Sequence, residues 1–191
     1  MRRYLIFGSI AGTLLLSGIG LYFFNNYWVH RYDDLIRRQA GIYHLDVDLV
    51  WSVIYEETYF RSWKRGAAEE IGLMQVRPVV AREWAKETGM REFARQVNED
   101  VDSLLLDPEK YIQIGSWYLE KIGEQYRGFP AETAMTLAAY NAGPSRVEEW
   151  TKTDEQATLS EQNFIERISI PSTKSYVTSI LARYKKVKNK N

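Results

Sequence analysis

Apolar residues recur three or four positions apart along most of this chain, which is the spacing of a helix with one buried face. No window shows the sustained apolar–polar alternation of a strand, and no repeat period is evident. Glycine and proline end most of the apolar stretches, as they do at helix boundaries. The pattern predicts a mostly α, orthogonal multi-helix domain with helices over residues 30–40, 47–60, 79–88, 90–98, 107–126, 131–140, 145–150, 161–168 and 172–186.

The helix predicted for residues 47–60 breaks the apolar pattern at one position. Its apolar stripe runs through Val50 and Ile54, and the next turn of that stripe is occupied by Glu57. An ionised carboxylate is costly to bury, so such a group pairs, hydrogen-bonds or takes up a proton. A carboxyl kept protonated near pH 7 is what a general acid requires, although a salt-bridged helix carboxylate gives the same pattern. The neighbouring Glu56 faces about 100° away around the helix and is expected to be solvated or structural.

The N-terminal segment is the most apolar part of the chain. Residues 4–24 carry no charge and follow Arg2 and Arg3, and about 20 apolar residues suffice to cross a bilayer as a helix. The segment predicts one N-terminal transmembrane helix, a signal anchor over residues 1–29 that precedes a domain over residues 30–191. The basic N-terminus predicts a single-pass protein of the inner membrane with its domain on the periplasmic or extracytoplasmic side. A cleaved secretory signal is the alternative, and it exports the domain as well.

Composition excludes several classes of function. The 191-residue chain has 25 lysines and arginines against 25 aspartates and glutamates, so it lacks the basic surplus of a nucleic-acid-binding protein. It has no cysteine and 2 histidines, which excludes disulfides, thiolate sites and a histidine-rich metal cluster. We therefore expect no metal and no organic cofactor. Aromatic residues make up 14% of the chain, which suits a dense helical core or a sugar-binding groove.

Several short motifs occur in order along the predicted domain. They are Glu57-Thr58-x-Phe60, Gly72-Leu73-Met74-Gln75-Val76-x-Pro78, Asp107-Pro108 with Gly115-x-x-Tyr118-Leu119, and Ala139-Tyr140-Asn141-Ala142-Gly143. Together they resemble the lytic transglycosylases, whose lysozyme-like SLT domain cleaves peptidoglycan. The resemblance covers about residues 35–184 and implies a lysozyme-like fold.

The resemblance implies that residues 30–191 form a lytic transglycosylase-like catalytic domain, whose partners are the glycan strands of peptidoglycan. Glu57 is then the single catalytic acid and base. It protonates the glycosidic oxygen between N-acetylmuramic acid and N-acetylglucosamine, and it next removes the proton of the muramyl C6 hydroxyl. That hydroxyl attacks the anomeric carbon and closes a 1,6-anhydro ring, so no carboxylate nucleophile is needed.

The resemblance also implies a substrate-binding role for six further residues, which are Thr58, Met74, Gln75, Tyr140, Asn141 and Tyr176. Thr58 keeps the hydroxyl of the serine usual in the family, Gln75 supplies an amide, and Tyr140 is expected to place its hydroxyl near Glu57. Core packing remains open for Met74, and a turn or cap role remains open for Asn141.

The chain departs from the family pattern at three places. Tyr111 stands where the pattern has asparagine, and Glu69 and Glu70 replace Gly-Ala ahead of the Gly-Leu-Met-Gln motif. The segment over residues 171–176 lacks the carboxylate that many relatives carry before the threonine. The loop ahead of Gly72 is therefore expected to differ in charge and shape. Gly72 itself is expected to let this loop approach the helix that carries Glu57.

Two other functions remain open. A peptidoglycan hydrolase like the goose-type lysozymes needs a second carboxylate to orient water, roughly 6.5–9.5 Å from the acid for inversion. Glu69 and Glu70 are the candidates for that carboxylate. The second possibility is a non-catalytic, membrane-anchored wall-binding protein that keeps the groove without turnover.

Overall fold

The computed structural model describes residues 2–90, 92, 93, 95, 97, 107–151 and 157–189. The described chain is mostly helical, as the apolar spacing predicts. Its isolated β-bridges are antiparallel and join Ile71 to Arg65 and to Val76. Helices α1 to α9 span, in chain order, Arg2–His30, Asp33–Ile42, Val47–Thr58, Pro78–Glu87, Pro108–Gly123, Glu132–Ala142, Pro144–Thr151, Glu161–Arg167 and Pro171–Lys188, and a 3-10 turn over Glu124–Tyr126 follows α5.

The predicted transmembrane helix is wrong. Helix α1 is 29 residues long, but no helix within the described residues is long and apolar enough to cross a membrane. The physical reason is composition. Glycine, serine and threonine interrupt the apolar run after Gly12, and Asn25 and Asn26 follow it in the last turns of the helix.

Local sequence signals explain several helix ends. The Asp46 Oδ1 atom accepts a hydrogen bond from Asp48 N at 2.9 Å and so caps α3, as such residues do before a first turn. Proline occupies the first turn of α4, α5 and α9, where its missing N–H removes no helical hydrogen bond. Helix α2 differs from its prediction, since it begins at Asp33 and continues through Gly41 to Ile42. Within the helix predicted for residues 90–98, the described residues 92, 93, 95 and 97 are helical, and residues 91, 94, 96 and 98 lie outside the described residues.

Helix α6 lies at the centre of the core. It contacts α5, α7, α8 and α9, and residues 134–139 on it are all buried. A helix that is buried on every side suits the interior of a domain, and its alanines allow close approach by neighbours. Helix α3 packs on α2 and α9 beside it. This packing brings the C-terminal ends of α3 and α6 to one side of the domain, where the motif residues meet.

Candidate active site

Glu57 lies in the last turn of α3, on the stripe that the sequence pattern indicates. Val50, Val53 and Ile54 on this helix are fully buried, and Glu57 next to them is mostly buried. Burial disfavours the charged carboxylate and raises the pKa of Glu57 to about 7, against an ordinary value of 4.5. The carboxyl therefore exchanges its proton near neutral pH.

Charged and polar groups around Glu57 modify this effect of burial. The Tyr176 hydroxyl donates a hydrogen bond to Glu57 Oε1 at 2.7 Å, and this bond and the nearby Lys64 ammonium both lower the pKa of Glu57. The carboxylates of Glu70 and Glu56 act in the opposite direction and raise that pKa. Burial raises the pKa of Tyr176 well above its usual value, so its hydroxyl stays protonated and remains a donor.

A loop over residues 61–76 forms the wall opposite α3. The Lys64 carbonyl accepts hydrogen bonds from Gly72 N and from Gln75 Nε2, each at 3.1 Å. The Thr58 hydroxyl donates to Leu73 O at 3.1 Å and so joins the end of α3 to this loop. The Tyr140 hydroxyl donates to Met74 O at 2.8 Å and joins α6 to the same segment. Side chains from both helices thus hold the loop in place.

Two glycines let this loop dock on α5. Gly72 has a φ of 72°, and a Cβ atom there would lie 2.8 Å from Cγ of Tyr111. A Cβ atom at Gly115 on α5 would lie 2.7 Å from Cβ of Met74. The structure therefore corrects the expectation for Gly72, since the close approach that it permits is to α5 rather than to α3. Tyr111, which departs from the family pattern, is the residue that fills the space above Gly72.

The turn after α3 is supported by the end of α1. Tyr59 and Phe60 both have left-handed backbone conformations, with φ of 51° and 60°, which is unfavourable for residues with a Cβ atom. Trp28 Nε1 donates a hydrogen bond to Tyr59 O at 2.9 Å, and Arg31 donates one to Phe60 O. The last turn of α1 and the residue that follows it thus support the segment after Glu57.

A cavity of about 430 Å³ opens beside Glu57, which is within the range of small-ligand sites. Of the predicted site residues, the structure brings four to its wall, namely Glu57, Gln75, Tyr140 and Asn141. Thr58 and Met74 are buried behind the wall, with exposures of 1% and 0%. Tyr176 touches Glu57 from α9. Substrate binding by these six residues stays a prediction.

The cavity wall also contains Glu70, which is a candidate for the second carboxylate of the hydrolytic alternative. Three further polar residues of the wall are not among the predicted site residues, namely Arg77, Glu83 and Tyr118. A signal existed for Glu70, because it replaces a small residue next to the Gly-Leu-Met-Gln motif. Arg77 directly precedes α4 and Glu83 lies in the middle of that helix, and neither carries such a signal. Tyr118 lies on α5 with its ring 5.6 Å from that of Tyr140. This pair presents an aromatic edge to the cavity.

Glu56 has different surroundings from Glu57. Its Oε2 atom lies 3.4 Å from Arg183 Nη2, and the Arg183 guanidinium lies over the Tyr55 ring at 3.5 Å. This arrangement is that of a structural ion pair, as the helical phase predicts. The described residues contain no cluster of three or more acidic or histidine side chains that could hold a metal ion.

A protein-family model, described as the transglycosylase SLT domain, matches residues 34–163 of this chain. The chain belongs to this family. The chain is 28% identical over 151 residues to the soluble lytic murein transglycosylase of Escherichia coli, covering 79% of this chain and 22% of that protein. It is 32% identical over 122 residues to the membrane-bound lytic murein transglycosylase C of Histophilus somni, covering 61% of this chain and 32% of that protein.

Solved structures show the same fold. The inactive mutant of the lytic transglycosylase Slt from Pseudomonas aeruginosa superimposes with a TM-score of 0.70 at 26% identity, covering 85% of this chain and 25% of that one. The complex of a 70-kDa soluble lytic transglycosylase with bulgecin A superimposes with a TM-score of 0.71 at 25% identity, with the same coverage of 85% and 25%. The chain thus spans between about a fifth and a third of the length of these relatives.

Proposed function

We propose that this SLT domain is a peptidoglycan lytic transglycosylase of the cell envelope, with Glu57 as its catalytic acid and base. The observation that carries the proposal is one buried carboxyl that faces a cavity and has a pKa raised to about 7. Such a group is protonated often enough to act as an acid near neutral pH and is ionised readily enough to act as a base. The names of the relatives support murein as the substrate.

In the first step, protonated Glu57 gives its proton to the glycosidic oxygen between N-acetylmuramic acid and N-acetylglucosamine. The bond from the anomeric carbon to that oxygen breaks, and positive charge develops on the muramyl ring or is taken up by its N-acetyl group. In the second step, ionised Glu57 removes the proton of the muramyl C6 hydroxyl, whose oxygen bonds to the anomeric carbon. Glu57 returns to its protonated form, so no water is consumed.

The other predicted residues take two kinds of role in this proposal. Gln75, Tyr140 and Asn141 line the cavity and bind the sugars through hydrogen bonds. Thr58 joins the loop wall to α3, and Met74 joins it to α6 through its carbonyl and packs against Gly115 on α5. Tyr176 donates to Glu57 and so stabilises the ionised form that acts in the second step.

The test is product analysis of digested peptidoglycan by mass spectrometry, with the full chain because α1 supports the turn after Glu57. We expect muropeptides with 1,6-anhydro ends, which lack one water relative to reducing ends. Glu57→Gln should reduce the rate about 100- to 10,000-fold, the usual contribution of a general acid or base. Glu56→Gln is the matched control, since Glu56 pairs with Arg183, and it should keep most of the activity. Equal activity of Glu57→Gln and the unchanged chain would exclude Glu57 as the catalytic residue.

One observation favours hydrolysis as a second candidate function. Glu70 lines the same cavity as Glu57 and supplies the second carboxylate that a water-activating glycosidase needs. Reducing ends as the sole products would establish this candidate and reject the transglycosylase. The absence of any product from the unchanged chain would favour a wall-binding protein over both enzymes.

A further inference from the structure

We propose that Glu70 is a positioning residue that acts through Glu57. Its carboxylate, fixed in the loop wall of the cavity, keeps Glu57 in the protonated form that serves as the acid. This role rests on the proposed function of Glu57, but it differs from the hydrolytic alternative, in which Glu70 itself must touch water. Glu70 lies at one of the three places where this chain departs from the family pattern.

The local geometry of the loop fixes the Glu70 side chain. Glu70 Oε2 accepts a hydrogen bond from Ala68 N at 2.9 Å, and Glu70 O accepts one from Gly66 N at 2.8 Å. The missing side chain at Gly66 makes room for this carboxylate, because a Cβ atom there would lie 2.9 Å from Glu70 Cδ. Glu69 adopts the left-handed conformation, with φ of 63°, directly before it. These contacts hold the carboxylate in one place.

The cavity places this fixed charge beside Glu57. Both side chains line the same cavity of about 430 Å³, and a like charge nearby disfavours ionisation of a carboxyl. The pKa of Glu57 is raised first by burial and further by Glu70 and Glu56, whereas Tyr176 and Lys64 lower it. The charged or titratable groups around Glu57 are thus Glu56 on its own helix, Lys64 and Glu70 in the loop, Tyr140 on α6 and Tyr176 on α9.

The surroundings distinguish Glu70 from the other carboxylates nearby. Arg183 pairs with Glu56 at 3.4 Å, and Lys121 pairs with Glu83, which also lines the cavity, at 3.0 Å. The bond that Glu70 accepts comes from a neutral backbone amide. Its negative charge is therefore the one best placed to act on Glu57.

The experiment titrates Glu57 directly, by the ¹³C chemical shift of its carboxyl carbon in the full chain. The signal is identified by its loss in Glu57→Gln. Glu70→Gln keeps the shape of the side chain and an oxygen for the Ala68 amide while it removes the charge. We expect the titration midpoint of Glu57 to fall by about half a pH unit, as a charge in the same partly solvated cavity implies. The alkaline limb of the pH–rate profile should fall by the same amount.

Two further variants separate charge from loop structure. Glu69→Gln removes the same charge from the neighbouring exposed residue, which does not line the cavity, and it should leave the midpoint in place. Glu70→Asp keeps the charge and should recover most of the midpoint. An unchanged midpoint in Glu70→Gln, or an equal shift in Glu69→Gln, would overturn the proposal. Because the titration needs no turnover, an inactive protein would reject the proposed function while this inference is still decided.

Discussion

The two walls of the cavity are built in different ways. The helical wall places Glu57, Tyr140 and Tyr176 on α3, α6 and α9, whose buried faces pack in the core. The loop wall over residues 61–76 has little regular structure and is held by single hydrogen bonds and by two glycines. Both walls carry residues that match the family, namely Glu57 and Tyr140 on the helical wall and the Gly-Leu-Met-Gln motif in the loop wall. The loop wall also carries Glu70, which departs from the family pattern, so the proposed catalytic acid and the residue proposed to act on it lie on different walls.

Gly72→Ala is the substitution that most directly tests how the loop wall is held. An alanine there must adopt a left-handed φ of 72° and must also displace the Tyr111 ring. We expect the free energy of unfolding to fall by about 2–4 kcal/mol, the sum of backbone strain and overpacking. Activity should fall more steeply than stability, because Met74 and Gln75 shift with the loop.

Gly89→Ala is the control that measures backbone strain without a steric contact. Gly89 has nearly the same φ, 73°, but nothing lies within 4 Å of an added Cβ atom. It should lose about 1 kcal/mol, which is the penalty for a left-handed alanine. Denaturant unfolding of both variants measures the difference, and equal losses would show that the contact with Tyr111 is unimportant.

The helical wall could be predicted from sequence because its signals are local. A stripe with a period of 3.6 residues predicts α3, and the same stripe identifies Glu57 without any partner in view. The loop wall could not be predicted, since Glu69 and Gln75 adopt left-handed conformations that their residue types do not announce. Its contacts with Tyr111, Gly115 and Tyr140 also join positions far apart in the chain. The prediction for α1 rests on the absence of charge alone, which does not account for the small and polar residues that follow Gly12 in this helix.

Burial of Glu57 should make the protein less stable as the pH rises. The pKa of Glu57 is raised from 4.5 to about 7 on folding, so the folded state holds a proton that the unfolded state has already released. The free energy of unfolding should therefore fall as the pH rises from 4.5 to about 7. Above pH 7 the contribution of Glu57 to this fall is complete. Glu57→Gln removes the penalty, and we expect it to be more stable than the unchanged chain by about 1–3 kcal/mol at pH 8.

Thermal unfolding at pH 4 and pH 8 measures this effect. Glu56→Gln provides the comparison, because Glu56 pairs with Arg183 and its removal should not stabilise the protein at either pH. If Glu57→Gln has the same stability as the unchanged chain at pH 8, burial of the ionised Glu57 carboxylate does not destabilise the protein.

The junction between the two walls depends on the Thr58 hydroxyl. Thr58→Val keeps the shape of this buried side chain but leaves Leu73 O without the hydrogen bond at 3.1 Å. We expect a loss of about 1–2 kcal/mol, the usual effect of an unpaired buried carbonyl. Thr136→Val is the control, since that hydroxyl donates to Glu132 O within its own helix at 2.8 Å. Urea unfolding should show a smaller loss for the control, and equal losses would contradict a role at the junction.

The smallest expected effect is on the titration midpoint of Glu57 when the Tyr176 hydroxyl is removed. Tyr176→Phe removes a hydrogen bond to the ionised carboxylate, and loss of such a bond disfavours ionisation. The midpoint of Glu57 should therefore rise by about half a pH unit, in the direction opposite to Glu70→Gln. Tyr184→Phe removes a hydroxyl from the same helix that donates to Asp46 at 2.7 Å, and it should leave the midpoint unchanged. In the double variant of Tyr176→Phe and Glu70→Gln the two shifts should nearly cancel, because the Tyr176 hydroxyl lowers the pKa of Glu57 and the Glu70 carboxylate raises it. If the midpoint of Glu57 in the double variant shifts as far, in either direction, as in one of the single variants, Tyr176 and Glu70 do not act on Glu57 independently.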